Sequence, residues 1–177
     1  MQPRGPLMIE HRLIDRMIER IKTELQKIEQ TGKADPLFVD VAVDFIRTYA
    51  DRTHHGKEEQ IMFRELGKKE LSEKDRSVMD ELVQEHILGR ELTADLVEAN
   101  RRYKNGIEKA LSTIVVKLKT LVDFYPKHIE KEDKSFFPDT MAYLSQEEQE
   151  RMLKEFWEFD RQMIHEKYRM LVDELKL

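Results

Sequence analysis

Apolar residues recur at intervals of three and four positions along most of the chain, which is the spacing of one helix face. The first such segment runs from about Pro6 to Gln30. Its apolar positions are Leu7, Ile14, Met17, Ile18, Ile21, Leu25 and Ile28. Only five prolines and six glycines interrupt the whole chain, so the pattern favours long amphipathic helices with few turns.

Capping residues and helix breakers divide the pattern into five segments. Asp35-Pro36 combines an N-cap residue with proline at the first helical position. Ser145 with Glu148 matches a capping box. The predicted helices cover about residues 6–30, 36–66, 72–103, 107–133 and 145–177. Pro126 lies inside the fourth helix and predicts a kink or a local break just before His128.

Four long segments with short connections predict an all-α fold, an antiparallel up-down four-helix bundle with an additional C-terminal helix. We expect residues 1–177 to form a single domain. The bundle would cover about residues 7–138 and the extra helix about residues 145–175. The aromatic stretch "FWEFDRQMIHEKYRML" in the fifth segment predicts either a cover for one end of the bundle or a homodimer face.

The second half of the bundle repeats the first. "EH" occurs at residues 10–11 and again at residues 85–86, and the segments "HHGKEEQIMF" from residue 54 and "HIEKEDKSFF" from residue 128 align with each other. In each segment a lysine follows the histidine by three positions, a glutamate by four and a phenylalanine by nine. The chain therefore contains two copies of one helix-pair unit, each with the pattern His…His-x-x-x-Glu.

The spacing of these residues places one histidine of each helix at roughly the same level of the bundle. Residues equally far from a turn lie side by side in antiparallel helices, and residues i and i+4 share a helix face. Carboxylates buried without a partner would be costly, whereas imidazoles and carboxylates together suit a metal site. The predicted ligands are His11, His54, Glu58, His86, His128 and Glu132.

Several neighbours of these residues are expected to play other parts. His55 lies about 100° around an α-helix from His54, which predicts a position outside the first coordination shell. Glu59 and Asp133 are expected either to be solvated or to accept hydrogen bonds from the ligands. Lys57 and Lys131 are expected to be surface lysines. Tyr125 is expected to pack in the core, and His165 lies outside the repeat.

The composition narrows the classes of protein and site. The chain has no cysteine, which excludes disulfides, thiolate catalysis and cysteine-ligated zinc or iron–sulfur sites. A net charge of −5 argues against nucleic acid as a partner. Neither a signal-like apolar run at the N-terminus nor an apolar window long enough for a membrane is present. We therefore expect a cytoplasmic protein.

The four elements His, H-x-x-x-E, His and H-x-x-x-E, in this order over roughly residues 7–138, resemble the hemerythrin-like (HHE cation-binding) domain family. The resemblance implies a non-haem di-iron centre with two bridging carboxylates and an oxo or hydroxo bridge. It also implies a small ligand or oxidant as partner, such as O2, NO or peroxide. Zinc or manganese would also suit nitrogen and oxygen ligands.

One position departs from the oxygen-carrying members of that family. They have a second histidine one turn after that of the third helix, where this chain has Arg90. The resemblance then implies four histidines, two for each iron, and argues against bulk oxygen transport. It favours sensing of oxygen, redox state or nitric oxide, or iron handling, with a non-enzymatic role preferred.

Three alternatives remain from the sequence. A di-metal oxidase or peroxidase of the ferritin or rubrerythrin type uses Glu-x-x-His pairs, and none of the chain's histidines follows a glutamate by three positions. A zinc-binding bundle, hydrolytic or structural, would need only part of the predicted ligand set. A helical bundle that binds other proteins, with histidines that have no function, would not explain the internal repeat.

Overall fold

The computed structural model describes residues 1–174, which contain helices and turns but no strand. The α-helices are α1 (Arg4–Thr31), α2 (Pro36–Phe45), α3 (Arg64–Leu66), α4 (Glu73–Lys104), α5 (Ala110–Lys131), α6 (Phe137–Thr140) and α7 (Gln146–Glu174). Three π-helical segments lie between them, π1 (Ile46–His55), π2 (Glu58–Phe63) and π3 (Glu132–Phe136), and a 3₁₀ turn covers Met141–Tyr143. The all-helical prediction is confirmed, and residues 175–177 of the predicted fifth helix lie outside the described range.

The helix ends follow the capping residues of the sequence. The side chain of Asp35 accepts a hydrogen bond from the Leu37 N–H at 2.9 Å, which opens α2. Ser145 and Glu148 form the predicted capping box, with the Ser145 N–H donating to the glutamate at 2.9 Å and the Glu148 N–H to the Ser145 hydroxyl at 3.2 Å. These local bonds satisfy N–H groups that have no partner within the helix.

Contacts between the helices close the bundle into a ring. Helix α1 packs against α5 and π1, and α4 packs against α2, π1 and α5. Of the two alternatives at Pro126, the local break is wrong, because α5 continues through the proline to Lys131. The kink stays a prediction. The irregular turn comes later, at π3. The alternating up-and-down order of the four long helices stays a prediction.

Two apolar clusters fill the interior and leave a polar layer between them. One contains Ile14, Ala50, Leu92 and Tyr125, and the other contains Leu7, Ile61, Leu82 and Phe136. Along each long helix a buried histidine lies between a member of the first cluster and a member of the second. The polar layer is therefore enclosed by apolar packing above and below.

Helix α7 packs against π1 and π2. Its Met152 and Phe156 join the second apolar cluster, so α7 does cover part of the bundle. Trp157 on the same helix is 74% exposed, and a homodimer face there stays a prediction. None of the helices within residues 1–174 is long and apolar enough to cross a membrane.

Candidate metal centre

The polar layer brings all six predicted residues together with their side chains buried. One group of potential ligand atoms comes from His11, His54, Glu58 and Glu132, and a second comes from His55, His86 and His128. Within each group the atoms lie within 4.8 Å of one another.

The two glutamates face both groups. One oxygen of Glu58 lies 3.4 Å from the Nε2 of His54, and its other oxygen lies 3.4 Å from the Nε2 of His86. Glu132 similarly lies 3.1 Å from the Nε2 of His11 and 3.4 Å from the Nε2 of His128. Each carboxylate therefore lies between one histidine of the first group and one histidine of the second.

His55 belongs to the cluster, contrary to the expectation that it lies apart from it. The residue is 2% exposed, and its ring stacks on that of His86 with centroids 3.8 Å apart. It lies in π1, where a turn contains more residues than an α-helical turn. Neighbouring side chains are then separated by a smaller angle, so His54 and His55 both face inward. The cluster contains five imidazoles rather than four.

Four of the histidines donate a hydrogen bond from Nδ1 to a carboxylate, each at 2.8 Å. The pairs are His11 with Asp133, His54 with Glu10, His86 with Glu59, and His128 with Glu85. Each of these carboxylates is the sequence neighbour of a residue in the cluster. Donation from Nδ1 fixes the ring orientation and leaves the Nε2 lone pair for a metal ion. Of the two expectations for Glu59 and Asp133, the second is the one observed, because both accept hydrogen bonds from histidines of the cluster.

The two repeated lysines support two of these carboxylates. Lys57 is completely buried and is paired with Glu10, and the Nζ of Lys131 lies 2.5 Å from Glu85. The expectation of two surface lysines fails for Lys57, because α7 covers it. Each lysine holds the carboxylate that in turn holds the histidine of its own half of the repeat.

The buried ligand atoms otherwise have no partner. The described part of the chain offers no hydrogen bond to the Nε2 atoms of His11, His54, His86 and His128, to either ring nitrogen of His55, or to the carboxylate oxygens of Glu58 and Glu132. Buried polar atoms are rarely left unpaired. An arrangement of nitrogen and oxygen atoms that converge without partners fits bound cations.

Burial and mutual proximity shift the pKa values of these groups strongly. Burial, reinforced by the charge of Glu132, holds the pKa of Glu58 well above its usual value. Burial alone would lower the pKa of His11, but the hydrogen bond to Asp133 and the negative charge of nearby Glu132 outweigh it and raise the pKa to about 10. Burial dominates at His54 and lowers its pKa to about 4. In the metal-free cluster, bound protons therefore offset the buried negative charge that cations would otherwise balance.

The family model of the hemerythrin HHE cation binding domain matches residues 5–140. The chain belongs to this family. The histidines and glutamates of the cluster all lie within the matched part, whereas α7 lies beyond it. Searches for similar curated proteins and for similar solved structures gave no significant match.

Arg90 lies beside the cluster of histidines and glutamates and contacts two carboxylates. Its guanidinium donates to Asp51 at 2.7 Å and to Glu59 at 2.6 Å. A cleft of about 230 Å³ lies beside it and is lined in part by Arg90, Asp51, His55, His86 and Tyr125. This is the position at which the oxygen carriers have a second histidine on the third helix. Here Arg90 instead supports Glu59, the carboxylate that accepts a hydrogen bond from His86.

Tyr125 and His165 lie where the sequence predicts. Tyr125 is 1% exposed and packs in the first apolar cluster, and burial raises its pKa. His165 is exposed on α7. Two signals in the sequence point to the residues that were not predicted. The "HH" doublet at residues 54–55 points to His55, and the "EH" pairs point to Glu10 and Glu85 as acceptors.

Proposed function

We propose that the chain is a non-haem di-iron protein of the hemerythrin-like type, built on an antiparallel up-down bundle. One iron would be held by His11 and His54. The other would be held by His55, His86 and His128, with Glu58 and Glu132 bridging the two. The observation that carries this proposal is the set of buried, unpartnered Nε2 and carboxylate atoms converging on two adjacent positions.

The residues around the cluster support such a site. Carboxylates fix the orientation of four histidine rings, so their Nε2 atoms face the metal positions without rearrangement. The apolar clusters above and below exclude bulk water, and Phe137 stacks on His11 with ring centroids 5.8 Å apart. When bound, iron would supply one-electron redox chemistry and affinity for small ligands such as O2 or NO.

Sensing of oxygen, redox state or nitric oxide, or iron handling, is the role we propose. The cluster is deeply buried, so only a small ligand or oxidant such as O2, NO or peroxide would reach it. We also propose that the protein is cytoplasmic and that its role is non-enzymatic.

Reversible oxygen carriage is a second candidate, and His55 favours it. The sequence argument against carriage assumed four histidines shared equally between two irons. With His55 in the cluster, one end has three imidazoles and the other has two. The end with two imidazoles would be the more open one. Two unequal irons suit ligand binding at one of them.

Metal analysis and visible spectroscopy of protein prepared without oxygen test the proposal. After expression in iron-rich medium we expect about two irons per chain and a charge-transfer band that appears in air. Loss of that band on removing oxygen would support carriage, and irreversible oxidation would support sensing or iron handling. One zinc ion, or no metal, would overturn the di-iron assignment.

Substitution of the ligands gives an independent test. His54→Ala and Glu132→Ala should each lose most of the metal while keeping their helix content by circular dichroism. His165→Ala serves as a matched control, because this histidine is exposed on α7. Full metal retention in both ligand variants would contradict the assignment of the site.

A further inference from the structure

Helix α7 lies outside the matched family domain, yet it contacts the segment that carries His54. The structure shows three contacts between α7 and residues 56–57. Phe156 packs with its ring centroid 5.8 Å from the Lys57 Nζ, Phe159 lies over Gly56, and Asp160 pairs with Lys57 at 2.7 Å. These contacts place α7 against the two residues that lie between the proposed metal ligands His55 and Glu58.

The ion pair on α7 continues inward as a chain of three contacts. Asp160 contacts Lys57, Lys57 contacts Glu10, and Glu10 accepts a hydrogen bond from the Nδ1 of His54 at 2.8 Å. Lys57 is completely buried. A buried ammonium group needs nearby counter-charges, and the two carboxylates provide them. Asp160 is the only one of these groups that lies on α7.

Among the described residues, the second half of the repeat has no such ion pair with α7. Lys131 there contacts Glu85, which accepts from the Nδ1 of His128 at 2.8 Å. The further carboxylate on Lys131 is Glu81, at 2.5 Å, and Glu81 belongs to the bundle helix α4. Asp160 therefore pairs with Lys57 as Glu81 pairs with Lys131, although Asp160 lies outside the repeat. One half of the repeat is thus completed within the bundle and the other by the appended helix.

Gly56 allows α7 to come this close. A Cβ atom added at residue 56 would lie 2.8 Å from the Cζ of Phe159, which is too close for an ordinary contact. Glycine is often found where another part of the chain approaches the backbone closely. The glycine within the "HHGKE" motif is therefore explained by α7 rather than by the metal ligands.

We propose that Asp160 is a positioning residue for His54 and that docking of α7 is coupled to metal binding at the His11–His54 end. This inference rests on the proposed function. A cation on the Nε2 of His54 would make its Nδ1–H a stronger hydrogen-bond donor. Glu10 would then bind His54 more strongly and would bind Lys57 less strongly. Lys57 then depends more on Asp160, which tightens α7. By thermodynamic reciprocity, a docked α7 tightens the metal.

Amide hydrogen exchange of residues 156–160 tests the coupling, with iron(II) bound under anaerobic conditions and after its removal by a chelator. In the unchanged protein, metal should slow exchange in this segment. Asp160→Asn should abolish the metal-dependent change and speed release of one of the two irons about tenfold, the range found for partners that orient ligands. The matched control is Glu81→Gln, which removes the equivalent carboxylate and should leave α7 exchange responsive to metal.

Phe159→Ala provides a second route, because it loosens α7 without touching the ion pair. We expect faster exchange in α7 and faster release of the same iron. Equal exchange of α7 with and without metal, or identical behaviour of Asp160→Asn and Glu81→Gln, would overturn the coupling. Metal counts on the same samples separate the two proposals. Unchanged protein that binds no metal would overturn the proposed function, whereas fully occupied protein with an indifferent α7 would overturn the coupling alone.

Discussion

The rings of His55 and His86 stack face to face, with centroids 3.8 Å apart and planes inclined by 10°. His86 is oriented by a hydrogen bond to Glu59. His55 has Asp51 at 3.5 Å, which is beyond the ordinary range of a hydrogen bond. Stacking and the π-helical backbone therefore hold His55, whereas carboxylates hold the other four histidines.

His55→Ala should weaken metal binding at the end that has three histidines. Two imidazoles would remain there, as many as at the His11–His54 end, so we expect a lower affinity for one of the two ions rather than an empty site. Chelator competition measures this loss, with circular dichroism to check that the helix content is constant. The control is His165→Ala, which should retain the affinity for both ions. Unchanged affinity in His55→Ala would place His55 outside the first coordination shell after all.

Glu58→Met should stabilise the metal-free protein while it weakens metal binding. Glu58 is completely buried, lies near Glu132 and has no hydrogen bond to its oxygens within residues 1–174. Because burial holds the pKa of Glu58 well above its usual value, its side chain is a buried polar group without a hydrogen bond. Such a group costs about 1–3 kcal/mol, and an apolar side chain of similar volume removes that cost. Urea unfolding of chelator-treated protein measures the change in the free energy of unfolding.

The neighbouring Glu59→Gln is the comparison for this experiment. Glu59 is partly exposed and accepts hydrogen bonds from His86 and Arg90. Its replacement should therefore not stabilise the metal-free protein. A destabilised Glu58→Met protein would mean that the cluster is satisfied without metal.

Metal affinity should rise with pH between neutral pH and about 10. Despite burial, the hydrogen bond to Asp133 and the negative charge of Glu132 raise the pKa of metal-free His11 to about 10, so its Nε2 carries a proton at neutral pH. A metal ion must displace that proton, and the apparent affinity gains about tenfold per pH unit for one proton. His54 does not compete, because burial lowers its pKa to about 4.

Chelator competition with zinc at pH 7 and pH 8, together with proton release measured by a pH indicator, tests this dependence. Asp133→Asn should reduce the number of protons released, because it removes a hydrogen bond that raises the pKa of His11. Affinity that does not change with pH, without proton release, would show that His11 is neutral before metal binds.

Gly56→Ala and Gly89→Ala should have opposite effects on stability. Both glycines lie in helical segments, where alanine is intrinsically better by about 1 kcal/mol. At residue 89 the new Cβ would meet Phe124 at an ordinary 3.6 Å, but at residue 56 it would lie 2.8 Å from Phe159. Overpacking costs about 1–3 kcal/mol.

We therefore expect thermal unfolding to shift upward for Gly89→Ala. Gly56→Ala should instead show faster proteolysis within α7. A more stable Gly56→Ala protein with an equally protected α7 would show that Phe159 moves aside without cost.

The sequence predicts the helices and most of the cluster for a simple physical reason. Equal distances from short turns set the level of His11, His54, His86 and His128, and the i to i+4 spacing sets the face of Glu58 and Glu132. Capping residues such as Asp35 and Ser145 act locally, so the ends of helices could be read from short stretches of sequence.

The remaining features depend on geometry that an ideal α-helix does not have. His55 faces the cluster because π1 widens the turn, and the angle of 100° between neighbours does not hold there. Lys57 is buried because α7 folds back over it. A contact between residues about a hundred positions apart leaves no local pattern in the sequence.

The four histidine–carboxylate bonds form a closed circuit around the bundle. Each acceptor is the chain neighbour of a ligand on a different helix from the histidine it serves. Sliding any one helix by a single residue would therefore break one bond through its histidine and another through its acidic neighbour. The circuit therefore links the register of the four helices to the site, because a bundle that closes out of register would have no complete set of ligand atoms for a cation.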